Sequence, residues 1–318
     1  MVVKKFNYYR FTMFILIIGL IIFGVVKYTN KKKYEESYEY KLLTLGYEKE
    51  ESDTLQDKLS KEELDKILKM KYDENIDNFI KEKYFIFDNL EKYLDYKKEN
   101  KKTEYNKIVA IINTGANIEW TEEERQSDIT KEELMIVNRI YSLGEYEPED
   151  LVDIPSKFAY SGVKLSASIV GPLEDLINDA KSNGYTIVVS SGYRSFKTQE
   201  SIYNNYERSH GTREADNVVA RPGHSEYQTG LTLDFDIYGG YTGEKLESEA
   251  YQWLIDNAKN YGFILRHTKE KEDLTLYNAS SWKFRYVGEE AAKKMSNENL
   301  CFEEYYAYYV RGQLWITK

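Results

Sequence analysis

Residues 222–234 read Pro-Gly-His-Ser-Glu-Tyr-Gln-Thr-Gly-Leu-Thr-Leu-Asp, and the rest of the chain is organised around them. Pro222-Gly223 is turn chemistry. Beyond it Leu231, Leu233, Phe235 and Ile237 alternate with polar residues, the period of a strand with one buried face. By itself the stretch is a turn that runs into a strand. Upstream, Leu173, Leu176, Ile177 and Ala180 fall on one helical face, Gly184 closes that helix, and residues 185–190 read as a further strand. A helix followed by strands, with hairpin-like alternation through 231–238, places this part of the chain in the α+β class.

The 318 residues leave room for one substantial core and a second, smaller unit. Charged residues make up 31% and the mean hydropathy is −0.65, so most of the chain faces water. The net charge is −10 and no basic stripe carries interleaved aromatics, which argues against a nucleic-acid partner. The single Cys301 excludes an intramolecular disulfide and a cysteine-based zinc site. With only His210, His224 and His267 available, a histidine-rich metal site needs all three to converge.

The N-terminal part has a different character. After a short tail, residues 1–10, the run 11–26 is uncharged and apolar between Arg10 and Lys27. At about 1.5 Å per residue it spans roughly 24 Å, and snorkelling Arg10 and Lys27 with Tyr8, Tyr9 and Tyr28 extend it toward the roughly 30 Å hydrocarbon core. Residues 11–28 are therefore expected to form a single-pass anchor. A cleaved signal peptide is the rival reading, but no A-x-A-like site follows; Lys31, Lys32 and Lys33 do. Lysines and arginine on both sides leave the orientation open. Residues 29–130 read as a charged helical spacer. Ser60 and Glu63 fit a capping box, and Ile76, Phe79, Ile80, Lys83, Phe87, Leu90 and Leu94 approximate one amphipathic face. Residues 108–112 are a short buried strand or helix, and Thr130 and Glu133 suggest another capping box at the entry to the next domain.

Residues 131–318 carry several further motifs. They include Tyr146-Glu-Pro-Glu-Asp-Leu-Val152, Ser191-Gly-Tyr-Arg-Ser195 with Gln199, and a helix-plus-strand segment from Trp253 to Arg266. Thr275, Tyr277, Trp282, Arg285, Tyr286, Val287 and Gly288 then fall in one register. On these residues the domain resembles the VanY-type D-alanyl-D-alanine carboxypeptidases, zinc peptidases of peptidoglycan. Their signature S-x-H-x-x-G-x-x-x-D finds Ser225, Gly230 and Asp234 in place. The resemblance implies an α+β fold, an antiparallel sheet flanked by helices, on the extracytoplasmic side of the cell membrane. It also implies a groove for peptidoglycan stem peptides, with Arg194, Gln199 and Ser225 as substrate-binding residues. A planar guanidinium grips a terminal carboxylate bidentately, which suits Arg194 to that task. A strand-end salt bridge is the alternative role for Arg194.

Three departures stand out against the family pattern. The first histidine ligand is Tyr227, the second is Lys283, and the catalytic glutamate position holds Ser280. A catalytic zinc takes three protein ligands, and only Asp234 remains of them. The expectation is a domain with no cofactor and no working catalytic residue that still binds stem peptides. One alternative is an active metallocarboxypeptidase remodelled around His224, Asp234 and Asp236. Another is a scaffold with a vestigial groove whose function lies in residues 29–130. The three substitutions also suggest a repair: Lys283 within about 4 Å of Asp234 in place of the cation, and Tyr227 donating its hydroxyl to the same carboxylate.

Overall fold

The computed structural model describes residues 8–120, 124–238 and 249–311. Two compact units emerge, Met1–Val109 and Ala110–Lys318, so the division falls ahead of the boundary expected after residue 130. The expected tail falls largely on residues 1–7, outside the described residues, as do the side chains of Tyr8 and Arg10.

The first unit is helical. Helix α1 (Tyr8–Glu35) contains the 25-residue stretch Phe11–Glu35, long enough to cross a membrane and apolar enough over an 18-residue window of mean hydropathy 2.3. Helices α2 (Tyr38–Leu45), α3 (Lys49–Lys58), α4 (Lys61–Ile67), α5 (Asn75–Lys81) and α6 (Leu90–Glu99) follow. They bury Leu42, Leu55, Ile67, Ile76 and Phe79. The capping box of α4 forms: the Ser60 hydroxyl accepts from the Glu63 N–H, and the Glu63 carboxylate accepts from the Ser60 N–H. The single face expected across 76–94 is divided, because the backbone turns extended at Glu82 (ψ 139°) and α6 begins only after a 3-10 turn. Phe79 is then stacked on Tyr93 with centroids 5.3 Å apart and met edge-on by Tyr105 at 5.0 Å. Helix α7 (Tyr105–Thr114) covers residues 108–112, left open between strand and helix by the sequence.

The second unit is α+β. Strands β1 (Arg125–Gln126) and β2 (Tyr141–Ser142) form a short parallel ladder, and β3 (Leu151–Asp153) pairs antiparallel with β4 (Lys164–Ser166). Between β1 and β2 the expected capping box at Thr130 is replaced by a 3-10 turn. Asp128, not Thr130, is its cap, accepting from the Thr130 N–H, and Glu132 at φ 50° prevents a regular helix. The main sheet is antiparallel in the order β5 (Thr186–Ser191), β6 (Thr232–Tyr238), β8 (Ser280–Tyr286), β7 (Phe263–His267). Helices α8 (Val170–Ser182), α9 (Phe196–His210), α10 (Thr212–Val218), α11 (Glu249–Asn257), α12 (Glu272–Thr275), α13 (Glu289–Glu298) and α14 (Phe302–Tyr305) surround it.

Alternation decides what the sheet offers to each side. Leu233, Phe235 and Phe284 join Leu173 and Leu176 of α8 and Leu254 of α11 in the main core. Each such buried side chain contributes roughly 1.5–3 kcal/mol. Residues of opposite parity point the other way. The β6–β8 register sets Asp234 opposite Lys283 and Thr232 opposite Arg285, which collects charge on the face away from that core.

Candidate functional site

The 222–234 stretch folds as a turn, a 3-10 segment and a strand in succession. The 3-10 segment Glu226–Thr229 ends on Gly230, left-handed at φ 70°. A Cβ there would stand 3.0 Å from Leu151 Cδ2 and from the Ser166 N, so this close approach needs glycine. The reversal sets Tyr227 beside Asp234 on β6. The Tyr227 hydroxyl donates to Asp234 Oδ1 at 2.6 Å. Burial and the adjacent carboxylate push the Tyr227 phenol far above its ordinary value, so it keeps its proton.

Arg194, just after β5, stands over the same tyrosine, its guanidinium carbon 3.9 Å from the ring centroid. Its Nη2 donates to Ser191 Oγ at 3.1 Å and stands 3.9 Å from Asp234 Oδ2. Lys283 approaches the ring as well, its Nζ 4.7 Å from the centroid. The repair expected at this point takes a different form. Lys283 pairs with Glu226 Oε2 at 3.6 Å and not with Asp234, although the two residues are cross-strand partners. Glu226 itself anchors a buried charge cluster on the same face. Arg266 Nε donates to both Glu226 oxygens at 2.9 Å, and Arg285 Nη1 donates to Oε1 at 3.4 Å. Arg266 in turn grips Glu303 with both terminal nitrogens. Burial alone would raise the Glu226 carboxyl, but Arg266, Lys283 and Arg285 outweigh it and the net shift is downward. Lys283 shifts down, because burial exceeds the help from Glu226.

Glu226 and Arg266 line a cavity of about 440 Å³ that also brings together the family-pattern positions expected from the sequence: Arg194, Gln199, Ser225, Tyr227, Asp234, Ser280 and Lys283. Gln199 is buried and donates to the Ala220 carbonyl at 2.7 Å. Ser225, also buried, opens the 3-10 segment. Ser280 sits opposite His267 in the β7–β8 register. The three histidines do not converge. His210 is exposed and stacks on Tyr206, while the His224 Nδ1 lies 2.8 Å from the Asn138 carbonyl. Asp236, offered with His224 and Asp234 for a remodelled centre, accepts from the Tyr160 hydroxyl at 2.9 Å. Among the described residues no three His, Cys, Asp or Glu side chains gather to hold an ion.

Reading the sequence alone missed the residues that hold the site together. Glu226 lies inside the organising stretch, and Arg266 and Arg285 within the quoted motifs, but no local pattern marks them as partners. Their partner Glu303 is far along the chain, so no local spacing could pair it. His267 and Tyr277, both lining the cavity, were missed as site residues too.

The VanY family profile, described as D-alanyl-D-alanine carboxypeptidase, matches residues 162–289. A D-alanyl-D-alanine carboxypeptidase of Enterococcus faecalis (strain ATCC 700802 / V583) is 33% identical over 191 residues, 57% of this chain and 68% of that protein. The chain belongs to the VanY family. The "Putative carboxypeptidase YodJ" of Bacillus subtilis (strain 168) is 40% identical over 181 residues, 54% of this chain and 66% of that protein. The chain thus spans about two thirds of the length of these two relatives. Among solved structures, that of the LdcB LD-carboxypeptidase, reported with the molecular basis of peptidoglycan recognition, aligns with a TM-score of 0.55 at 34% identity. The alignment covers 60% of this chain and 93% of LdcB.

VanY-type peptidases imply zinc, and the donor set here does not fit it. Of the three ligand positions one holds a protonated phenol that donates to the carboxylate, and another holds a lysine paired with Glu226. The remaining Asp234 is engaged by Tyr227 and approached by Arg194. An ion placed there would have to displace that hydrogen bond and face two cationic heads.

Proposed function

We propose that the chain is a membrane-anchored VanY-type domain that binds peptidoglycan stem peptides outside the cell membrane without hydrolysing them. The observation that carries this reading is the pairing of Tyr227 with Asp234 and Lys283 with Glu226, inside a cavity that keeps Arg194, Gln199 and Ser225. Charges that a metal would have balanced are balanced by side chains, and Ser280 cannot take a proton from water as a carboxylate would. Residues 11–28 serve as the anchor and 29–130 as a spacer, with the VanY-type domain beyond. LdcB, a carboxypeptidase reported with peptidoglycan recognition, supports the choice of ligand.

Metal analysis and D-alanine release, measured on one preparation of the full-length protein in detergent, test the reading. The expected result is no stoichiometric zinc and no D-alanine from a pentapeptide substrate, together with saturable binding of that peptide. Stoichiometric metal with EDTA-sensitive release would overturn it in favour of a remodelled active site. Absence of binding would leave the groove vestigial. Arg194→Ala is expected to weaken pentapeptide binding by roughly 1.5–3 kcal/mol through loss of a charge-assisted contact, measured by calorimetry.

A further inference from the structure

The same cavity holds a concentration of unmet hydrogen-bonding capacity. Ten buried side-chain polar atoms among the described residues lack a protein partner, and four of them belong to residues that line this one cavity: Gln199 Oε1, His267 Nδ1, the Tyr277 hydroxyl and Ser280 Oγ. Leaving such atoms unpaired is costly, so a ligand that satisfies them gains affinity from each. The hydroxyls of Tyr277 and Ser280 are donors that call for acceptor oxygens, whereas Gln199 Oε1 calls for an N–H. A carboxylate next to a peptide N–H meets both demands.

Charge points the same way. The described lining residues include three cations, Arg194, Arg266 and Lys283, against two carboxylates, Glu226 and Asp234. Just behind them Arg285 and Glu303 cancel, so among the described residues one positive charge is left over. Arg194 already spends a donor on Ser191 and lies against Tyr227. Lys283 is less committed. Its single ion pair, at 3.6 Å, is too long for a hydrogen bond, which leaves all three ammonium donors unspent among the described residues.

We propose that Lys283 makes the family's metal position into a seat for a carboxylate, so that the cavity receives stem peptides in a second register, one residue shorter than the register whose terminus reaches Arg194. This rests on the stem-peptide reading above. A catalytic metal polarises the carbonyl of the bond to be cut. An uncut peptide brings a neutral amide carbonyl to that position, and a peptide lacking its last residue brings a carboxylate, which an ammonium binds more strongly. The Lys283 and Arg194 heads stand 4.7 and 3.9 Å from one ring centroid. The two heads therefore lie no more than about 8.6 Å apart, within the span of one extended peptide, which advances about 3.3–3.6 Å per residue. The domain then senses stem peptides that a carboxypeptidase has already trimmed.

The test is calorimetry on the full-length protein in detergent with synthetic stem peptides of three, four and five residues, each as C-terminal acid and amide. Unmodified protein, Lys283→Met, Lys283→Arg and Arg194→Ala are compared. At one length the acid should bind about ten-fold more tightly than its amide. Lys283→Met should erase that preference while Lys283→Arg and Arg194→Ala keep it. At the length one residue longer the dependence should pass to Arg194. Lys283→Met is expected to fold, because Glu226 keeps Arg266 and Arg285, and circular dichroism checks this. Peptides that bind with an acid-to-amide ratio indifferent to Lys283→Met at every length would overturn the proposal and leave the stem-peptide reading intact. Failure of all peptides to bind unmodified protein would overturn both.

Discussion

Tyr227 and Lys283 show how a single position can change the chemistry that a scaffold supports. Both positions border Asp234, one beside it on the 3-10 segment and one across the sheet. Tyrosine reaches that carboxylate as a donor. Lysine, longer and charged, pairs instead with Glu226. Tyr227→His combined with Lys283→His is expected to bind one zinc per chain, as measured by elemental analysis after dialysis. A metal-free double variant would mean that the surrounding charge, not the ligand residues, prevents binding. Tyr227→Phe should cost roughly 1–3 kcal/mol of stability in chemical denaturation, because it removes a donor from a buried carboxylate.

At the scale of elements, the face of β6 and β8 turned from the core is held by ion pairs of unequal weight. Arg266 and Glu226 are almost wholly buried, with Arg285 and Glu303 extending the cluster to α14. Removing one partner from such a cluster strands the others without solvent. Glu226→Gln should destabilise the larger unit by about 3–5 kcal/mol in thermal or denaturant unfolding. Lys49→Ala, which breaks the exposed pairs of Lys49 with Asp53 and Glu39, should have a far smaller effect. Equal effects would refute the ranking. The junction between the 3-10 segment and β6 is a second point of sensitivity. Gly230→Ala forces a side chain into a left-handed conformation against Leu151 and Ser166, and should lower stability by about 1–3 kcal/mol.

For the whole molecule, buried titratable groups set the response to pH. Burial, reinforced by Arg266 and Lys283, holds His267 well below its ordinary value, so it stays neutral in the fold. The unfolded chain binds that proton near pH 6.5 and the folded one does not, so stability falls as pH drops below about 7. Each proton difference contributes a slope of about 1.36 kcal/mol per pH unit. The Glu226 carboxyl, shifted downward, adds a separate loss in a more acidic window, beginning below its unfolded value near 4.3 and completed as pH passes the lower folded value. His267→Phe should flatten the first window and leave the second, as read from urea midpoints between pH 8 and 3. His224, also shifted down by burial, accounts for any slope that remains in the first window.

Local pattern and local chemistry made much of this protein legible in the sequence. The period-two run from Leu231 gave β6, the one-sided spacing of Leu173 to Ala180 gave α8, and the Ser60 capping box gave the start of α4, because each depends on neighbours a few residues apart. The cavity positions from Arg194 to Lys283 were legible through motifs that keep their spacing. What the tertiary structure alone decided is where charge goes. Lys283 had two carboxylates within its reach, and the choice of Glu226 over Asp234 depends on Arg266 and Arg285 having fixed that carboxylate, on Glu303 of α14 balancing them, and on Tyr227 having already satisfied Asp234. Electrostatic pairing in a buried site is settled by everything that converges there at once. No spacing along the chain records that convergence.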